Sequence, residues 1–164
     1  AAYAVARYRK ARLAAGLPAA AADLWFAIEG DRFFGVPALR LAECKAAVHD
    51  AASVHRYLFD WKSPALNGVL GACHGLDVPF VFGTAASLPG LRAFVGEGPA
   101  VAKLSLEMQD AWTSFARSGD PGHAGLGSWP AFDPARAASM VFGPESRVVD
   151  GPHQDELAFW QGLL

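Results

Sequence analysis

Apolar and polar positions follow a helical period over much of the chain. The clearest case runs from Ala100 to Arg117, where apolar residues recur every three or four positions and polar ones, Glu107 among them, face outward. Helices are also predicted from Ala1 to about Ala15 and from about Ala19 to Ile28. The segment Gly16-Leu17-Pro18 separates these two helices, because glycine accepts left-handed geometry and proline cannot continue a helix.

A break in the helical pattern falls at Gly30-Asp31. Asp31 is the predicted N-cap of a third helix that ends near Ala51, and Phe33 and Phe34 are expected to lie in the core. A terminal helix is predicted from Gln154 to Leu163.

The stretches with strand character are short. Val54 to Trp61 is dense in β-branched and aromatic residues and predicts a strand, as do Ser139 to Phe142 and Arg147 to Val149. The segment from Lys62 to Cys73 is rich in glycine, proline and serine and predicts a loop. In the apolar stretch from Val78 to Gly83, the proline argues against a central strand.

The order of these elements is helices, strand, loop, helix, short strands and a last helix. This order suits the last units of an α/β fold, although the strands are too few for a complete one. We therefore predict a single partial domain over residues 1–164. Four aromatic residues are expected in its core: Trp61, Phe80, Trp112 and Trp129.

Composition and charge narrow the classes of function. Hydrophobic residues make up 52% of the chain and charged residues 18%, yet no stretch approaches the roughly 18 uninterrupted apolar residues of a membrane span. A net charge of -2 gives no general attraction for nucleic acid. We interpret the basic cluster at residues 7–12 as a solvated helix face rather than a targeting or nucleic-acid-binding arm. The start lacks the apolar core of a signal peptide, which favours a soluble cytoplasmic protein but leaves the compartment open.

The cysteines and most of the histidines give no sign of a metal centre. Cys44 and Cys73 could form one disulfide at most, and their spacing is not that of a metal site. Four histidines lack a partner at the spacing of metal ligands and are predicted to be surface or capping residues: His49, His55, His123 and His153. No metal and no cofactor is predicted.

One stretch carries a family resemblance. Residues 71–83, Gly-Ala-Cys-His-Gly-Leu-Asp-Val-Pro-Phe-Val-Phe-Gly, resemble the segment around the catalytic histidine of type-B carboxylesterases, the family of carboxylesterases, cholinesterases and para-nitrobenzyl esterases. The resemblance extends over about residues 25 to 142 and implies the C-terminal portion of an α/β-hydrolase fold. Three further blocks occur in the family's order: Asp31-x-x-Phe34-x-x-Pro37-x-x-Arg40-Leu41-Ala42, Tyr57-x-Phe59-Asp60-Trp61, and Trp112-x-x-Phe115-Ala116-Arg117-Ser118-Gly119-Asp120-Pro121 with Trp129-Pro130 after it.

The resemblance implies a serine carboxylesterase that hydrolyses carboxylic esters through an acyl-serine intermediate. His74 corresponds to the catalytic histidine, which would accept the serine proton and then pass it to the leaving alcohol. In this fold the serine and the acid precede the histidine, and no Gly-x-Ser-x-Gly occurs in the sequence. The chain is therefore expected to be the C-terminal part of an esterase, inactive alone, whose partner is the missing N-terminal part.

The same resemblance implies roles for the residues beside His74. Cys73 and Leu76 are expected near the acyl or alcohol pocket, as binding residues for a small-molecule ester. Asp77 is expected to support the loop by hydrogen bonds to backbone amides rather than to be the triad acid. A nucleophilic Cys73 is the alternative to a small buried thiol, and we favour the latter.

Two other interpretations stay open. Some relatives of this family serve interaction rather than catalysis, so a non-catalytic interaction module is the alternative function. The strand from Val54 to Trp61 would have an unpaired edge in an isolated fragment, and apolar helix faces would be uncovered, which predicts self-association into a homo-oligomer.

Overall fold

We describe the protein from a computed structural model, which covers residues 1–48, 53–161 and 163. The described residues group into two units, one containing residues 1–48 and the segment from Gly151 onward, the other containing residues 53–150. We call them the first unit and the second unit. The prediction of a single partial domain is not tested by this grouping and stays a prediction.

The first unit is helical. Its helices are α1 (Ala2–Ala14), α2 (Ala21–Gly30), α3 (Val36–Ala46) and the short α7 (Gln154–Leu157). The predictions of α1 and α2 are confirmed, and the backbone leaves α1 at Gly16 with a φ of 69°, a left-handed value that glycine adopts without strain. The terminal helix α7 is shorter than predicted.

The predicted break at Gly30-Asp31 is wrong. The backbone stays helical at Gly30, with φ -59° and ψ -46°, and a π-helical turn over Asp31–Gly35 joins α2 directly to α3. Asp31 is therefore not an N-cap. Its carboxylate accepts a hydrogen bond from the Tyr8 hydroxyl at 2.8 Å instead, because the turn holds it against α1.

Two further expectations for this region need correction. Phe33 and Phe34, expected in the core, are 59% and 56% exposed. Both belong to the π-helical turn, whose extra residue shifts the side chains away from the positions that a regular helical period assigns to them. Helix α3 ends at Ala46, whereas the predicted end near Ala51 lies outside the described residues.

The second unit is built around a three-stranded sheet. Strands β1 (Tyr57–Phe59), β2 (Ser139–Phe142) and β3 (Arg147–Val149) lie in the order β1-β2-β3. Strand β1 runs parallel to β2 with Tyr57 opposite Met140, and β2 runs antiparallel to β3. All three predicted strands are confirmed, although β1 is shorter than predicted. Strand β2 is buried along its whole length, as expected of a central strand.

Helices flank this sheet. They are α4 (Val78–Val81), α5 (Pro89–Val95) and α6 (Pro99–Ser118), each with a proline in its first turn, where the missing N–H is not needed. Helix α6 confirms its prediction, while α4 and α5 were not predicted as helices. A tight turn over Ala65–Gly68, in which Leu66 and Asn67 have left-handed φ values of 50° and 56°, lies in the predicted loop.

The core of the second unit lies between α4, α6 and the sheet. It confirms the core positions of Phe80 and Trp129, while Trp61 and Trp112 pack against it partly buried. Glu107, expected to face outward, is only 8% exposed; its carboxylate accepts a hydrogen bond from Ser146 at 2.7 Å and lies 3.1 Å from Lys103 Nζ. The fully buried members of the core are Leu76, Phe80, Val95, Met108, Ala111 and Phe142.

Candidate functional site

His74 lies in a turn between the sheet and α4, and we call residues 71–77 the His74 turn. Gly71 and Gly75 have φ values of 57° and 79°, which a residue with a side chain adopts only with strain. The Leu76 amide donates to the Cys73 carbonyl at 3.2 Å and closes the turn. His74 itself is exposed. The two glycines thus permit the chain reversal that presents this histidine.

The two predicted substrate-binding residues differ in exposure. Cys73 is half-buried and packs against the edge of the core, and it carries a free thiol. Leu76 is 0% exposed and belongs to the core. The burial of Leu76 favours a packing role under the turn, and substrate contact by either residue stays a prediction.

Asp77 connects the end of the His74 turn to the sheet. The Tyr57 hydroxyl on β1 donates to Asp77 Oδ2 at 2.9 Å. Asp77 was expected to support the loop through hydrogen bonds to backbone amides. The observed partner of its carboxylate is instead the Tyr57 side chain. Sequence reasoning missed Tyr57, since the two residues are 20 positions apart and no local pattern relates them.

Helix α4, which follows the turn, is fastened to α6. Ser105 Oγ donates to the Phe80 carbonyl at 2.9 Å within the buried core. Gly83, after α4, lies against Gln109, where a Cβ would come within 2.6 Å of Gln109 Oε1. The Gln109 side chain in turn donates to the Ser105 carbonyl at 3.0 Å. The polypeptide leaving the His74 turn is therefore held by polar contacts as well as by packing.

A cavity of about 190 Å³ opens beside the sheet in the second unit. Aromatic rings form most of its wall, among them Tyr57, Trp112, Phe115 and Trp129, and His55 contributes an imidazole. Burial lowers the pKa of His55 below its ordinary value. The Trp129 indole N–H is buried without a hydrogen-bond partner among the described residues. These groups offer apolar contact and hydrogen bonding rather than a nucleophile.

The other histidines fall into different environments. His123 Nε2 lies 3.1 Å from the Glu107 carbonyl oxygen, and its Nδ1 accepts from the Gly125 amide at 3.2 Å, as a loop-stabilising residue would. His55 is half-buried between aromatic rings rather than on the surface. His49 lies outside the described residues.

A buried polar cluster in the first unit was not predicted. Trp160 Nε1 donates to the Tyr8 hydroxyl oxygen at 2.6 Å, and the Tyr8 hydroxyl donates to Asp31. Tyr8 is 0% exposed. We call this cluster, together with the ion pairs of Glu156 described next, the first-unit polar cluster. Its members come from α1, the π-helical turn and the C-terminal segment, so no local sequence pattern announces it.

Glu156 completes the first-unit polar cluster with two ionic partners. Its carboxylate lies 3.3 Å from Arg12 Nη1 and 2.8 Å from His153 Nδ1, and the residue is 4% exposed. The hydrogen bond that His153 donates to the Glu156 carboxylate raises the pKa of His153. Burial raises the pKa of Asp31 to about 6, which the hydrogen bond from Tyr8 only partly offsets. The cluster therefore has titrating groups near neutral pH.

The described residues contain no group of three or more histidine, cysteine, aspartate or glutamate side chains placed to hold a metal ion. Among the helices that the structure describes, none is long and apolar enough to cross a bilayer. Cys44 and Cys73 are both free.

Comparison with known proteins gives consistent matches. The model of the Carboxylesterase family matches residues 7–160. Phenmedipham hydrolase of Pseudarthrobacter oxydans is 34% identical over 123 residues, which cover 74% of this chain and 24% of that protein. Carboxylesterase 1C of Mus musculus is 30% identical over 152 residues, covering 90% of this chain and 26% of that protein. The chain thus spans about a quarter of the length of these relatives.

Solved structures agree. The carboxylesterase EST55 of Geobacillus stearothermophilus, crystallised at pH 6.2, superposes with a TM-score of 0.78 and 38% identity over 97% of this chain and 32% of its own. Such neighbours have the α/β-hydrolase fold, so the predicted fold class is confirmed, and the small sheet with its helices is a part of that fold. Since the family match extends over nearly the whole chain and the fold agrees with it, the protein belongs to the carboxylesterase family.

Proposed function

We propose that this chain is the C-terminal part of a serine carboxylesterase and supplies its catalytic histidine, His74. The observation that carries the proposal is the family match over residues 7–160, which includes the complete His74 turn. The named relatives are carboxylesterases and related hydrolases, and these names do not favour a non-catalytic interaction module.

The chemistry assigns a proton-transfer role to His74. A serine hydroxyl is a weak nucleophile at neutral pH, so an imidazole must take its proton as the serine attacks the ester carbonyl. The same ring then gives a proton to the departing alcohol, and water repeats the sequence on the acyl-serine. An exposed imidazole at a glycine-flanked turn suits both steps, because it is accessible to the serine and to the departing alcohol.

The remaining groups of the active site are proposed to come from preceding sequence. The chain covers about a quarter of its relatives, and it contains no Gly-x-Ser-x-Gly. A histidine without the serine and the oxyanion hole has no acyl acceptor and no donors for the oxyanion. We therefore expect the isolated 164-residue chain to be inactive, and the whole protein to carry the activity.

The substrate is proposed to be a small carboxylic ester without charge near the scissile bond. Cys73 is half-buried beside His74 and presents a soft apolar surface, which supports a place at the acyl or alcohol pocket. Leu76, buried under the turn, would shape that pocket by supporting the turn from below. No cofactor is needed for this reaction.

The proposal is tested by replacing His74 with alanine in the full-length protein. Loss of the base should lower kcat/KM for p-nitrophenyl acetate about 1,000-fold or more, because the proton no longer has an acceptor during attack. Activity is measured by release of p-nitrophenolate. The matched control is His123→Ala, which removes a histidine of the same unit that lies outside the His74 turn and should leave kcat/KM within about twofold.

A His74→Ala protein that is folded and keeps wild-type hydrolysis would overturn the proposal. The upstream coding sequence gives an independent check, since a Gly-x-Ser-x-Gly there is expected. Replacement of that serine by a non-nucleophilic residue would favour the interaction module instead.

A further inference from the structure

A hydrogen bond joins the His74 turn to strand β1. The Tyr57 hydroxyl donates to Asp77 Oδ2 at 2.9 Å, and Asp77 is three residues after His74. We propose that Tyr57 is a positioning residue for His74, which acts through Asp77 by fixing the turn against the sheet. The inference rests on the proposed function, because it concerns the placement of the proposed base.

The ring of Tyr57, a residue that is 36% exposed, is held from two sides. Tyr57 lies on β1, in register with Met140 of the buried β2. Its ring makes edge contacts with the rings of Trp112 and Phe142, whose centroids lie 5.1 Å and 6.0 Å away. A hydroxyl on a ring held at two sides has little rotational freedom to lose when it forms a hydrogen bond. Tyr57 is thus a preorganised donor.

The donor keeps its proton near neutral pH. Burial, and next to it the hydrogen bond to the Asp77 carboxylate, raise the pKa of Tyr57 further above its ordinary value near 10. Tyr57 therefore neither takes up nor releases a proton near neutral pH. It has no means to act as an acid or base there, and its contribution is geometric.

Asp77 transmits this constraint to the turn. Its backbone carbonyl accepts from the amides of Phe80 and Val81 at 3.0 Å and 3.1 Å, so Asp77 forms the beginning of α4. Helix α4 is fastened in turn by the Ser105 hydroxyl, which donates to the Phe80 carbonyl at 2.9 Å. The side chain of Asp77 is therefore held by the sheet, and its backbone by a helix that is fixed to α6.

The turn needs such an anchor because its own backbone is permissive. Gly71 and Gly75 carry positive φ values, and glycine populates many other conformations at little cost. A general base must stay within a few tenths of an ångström of its working position, and displacement by about 1 Å can lower a rate about 100-fold. A hydrogen bond beside the second glycine restricts the freedom that the glycines introduce.

The test uses Tyr57→Phe in the full-length protein, with p-nitrophenyl acetate as substrate. The phenyl ring keeps the contacts with Trp112 and Phe142, while Asp77 loses its donor. We expect kcat to fall about 5- to 50-fold with KM changed less than about twofold, since substrate contacts are unaltered. Tyr3→Phe, a change at a 69% exposed tyrosine, is the matched control and should leave kcat unchanged.

A double-mutant cycle with Asp77 separates positioning from a general structural effect. Tyr57→Phe combined with Asp77→Ala should lower kcat no further than Asp77→Ala alone, because both changes remove the same hydrogen bond. Asp77→Asn, which keeps an oxygen acceptor, should restore kcat towards wild type relative to Asp77→Ala. Multiplicative losses in the double variant, or a loss of kcat that only follows a loss of folded protein, would overturn the inference.

The outcome for His74 keeps the two proposals distinguishable. If His74→Ala is inactive while Tyr57→Phe retains wild-type kcat, the positioning role is refuted and the esterase function stands. If His74→Ala remains active, the proposed function fails first, and a lower kcat of Tyr57→Phe would then not support positioning of His74.

Discussion

The two units of this protein hold their helices and strands together in different ways. In the second unit the interior is apolar and aromatic, with Phe142 of β2 within 6.0 Å of the rings of Tyr57, Trp112 and Trp129. In the first unit, the polar cluster is centred on two buried residues, Tyr8 and Glu156, whose partners are half-buried or exposed. Apolar packing depends on volume, whereas a buried polar cluster depends on the presence of each donor and acceptor.

This difference has consequences for tolerance and for pH. A core of aromatic rings is destabilised when side-chain volume is removed, but it accepts apolar substitutes of similar size. Removing one partner from a buried cluster of charges is destabilising, because the remaining charge is desolvated and no longer has an opposite charge to compensate for the lost hydration. The first unit should also respond to protonation, since its groups titrate near neutral pH.

The largest effect is expected from Phe142→Ala in the second unit. Phe142 is 0% exposed at the centre of the aromatic core, so its truncation removes buried apolar area and leaves a cavity. We expect a loss of about 3–5 kcal/mol in local stability, measured by native-state hydrogen exchange in peptides of β2 and α6. The matched control is Phe82→Ala, at a side chain that is 73% exposed, for which little change is expected. An equal loss at both sites would contradict an interior that depends on packing.

A smaller loss is expected from Glu156→Ala in the first unit. The change removes the carboxylate that pairs with Arg12 and His153 and should cost about 2–4 kcal/mol, seen as faster exchange in peptides of α1. Glu29→Ala removes an acid whose partner, Arg32, has a 55% exposed side chain, and should cost below about 1 kcal/mol. Similar losses of stability for Glu156→Ala and Glu29→Ala would show that burial does not determine how much an ion pair contributes.

The smallest effect is expected from a change of pH. The free energy of unfolding should change with pH in opposite directions in the two units. Asp31 binds its proton more tightly when folded, so the free energy of unfolding of the first unit should fall as pH rises from about 4 to about 6. The fall should be roughly 1–3 kcal/mol, at about 1.4 kcal/mol per pKa unit. The raised pKa of His153 continues the fall above its ordinary value of 6.5, since the charged imidazole is stabilised in the folded state.

His55 should give the second unit the opposite slope. Its pKa is lowered on folding, so the stability of the second unit is lost as pH falls below 6.5 and is regained as pH rises. Hydrogen exchange at several pH values, corrected for the intrinsic exchange rate, measures both slopes in one experiment. Asp31→Asn should abolish the slope of the first unit between pH 4 and 6 and leave the second unit unchanged. Parallel slopes in the two units would contradict this assignment.

Local patterns predicted several regular elements at or close to their observed bounds. Helix α6 was predicted well because its apolar period matches a buried face. Strands β2 and β3 were predicted at their observed bounds although they differ in burial, since all four residues of β2 are buried and none of β3 is. The π-helical turn at Asp31–Gly35 was not predicted, since a single inserted residue leaves propensity unchanged. For the same reason the positions of Phe33 and Phe34 were wrong.

The candidate site was predictable only in part. The glycines around His74 and the block of residues 71–83 mark the turn in the sequence, because positive φ values and a family pattern are local properties. The hydrogen bond between Tyr57 and Asp77 depends on how β1 and the turn pack together. No spacing along the chain encodes that distance.

The sequence alone determined helices α1, α2 and α6, the three strands, the family resemblance and the residue proposed as the base, since each is written in short stretches of neighbouring residues. The tertiary structure decided which distant groups meet: Tyr57 with Asp77 in the second unit, and Tyr8 with Asp31 and Trp160 in the first. The physical reason is that hydrogen bonds and desolvation act over a few ångströms in space, so they are fixed only when the backbone has brought remote residues together.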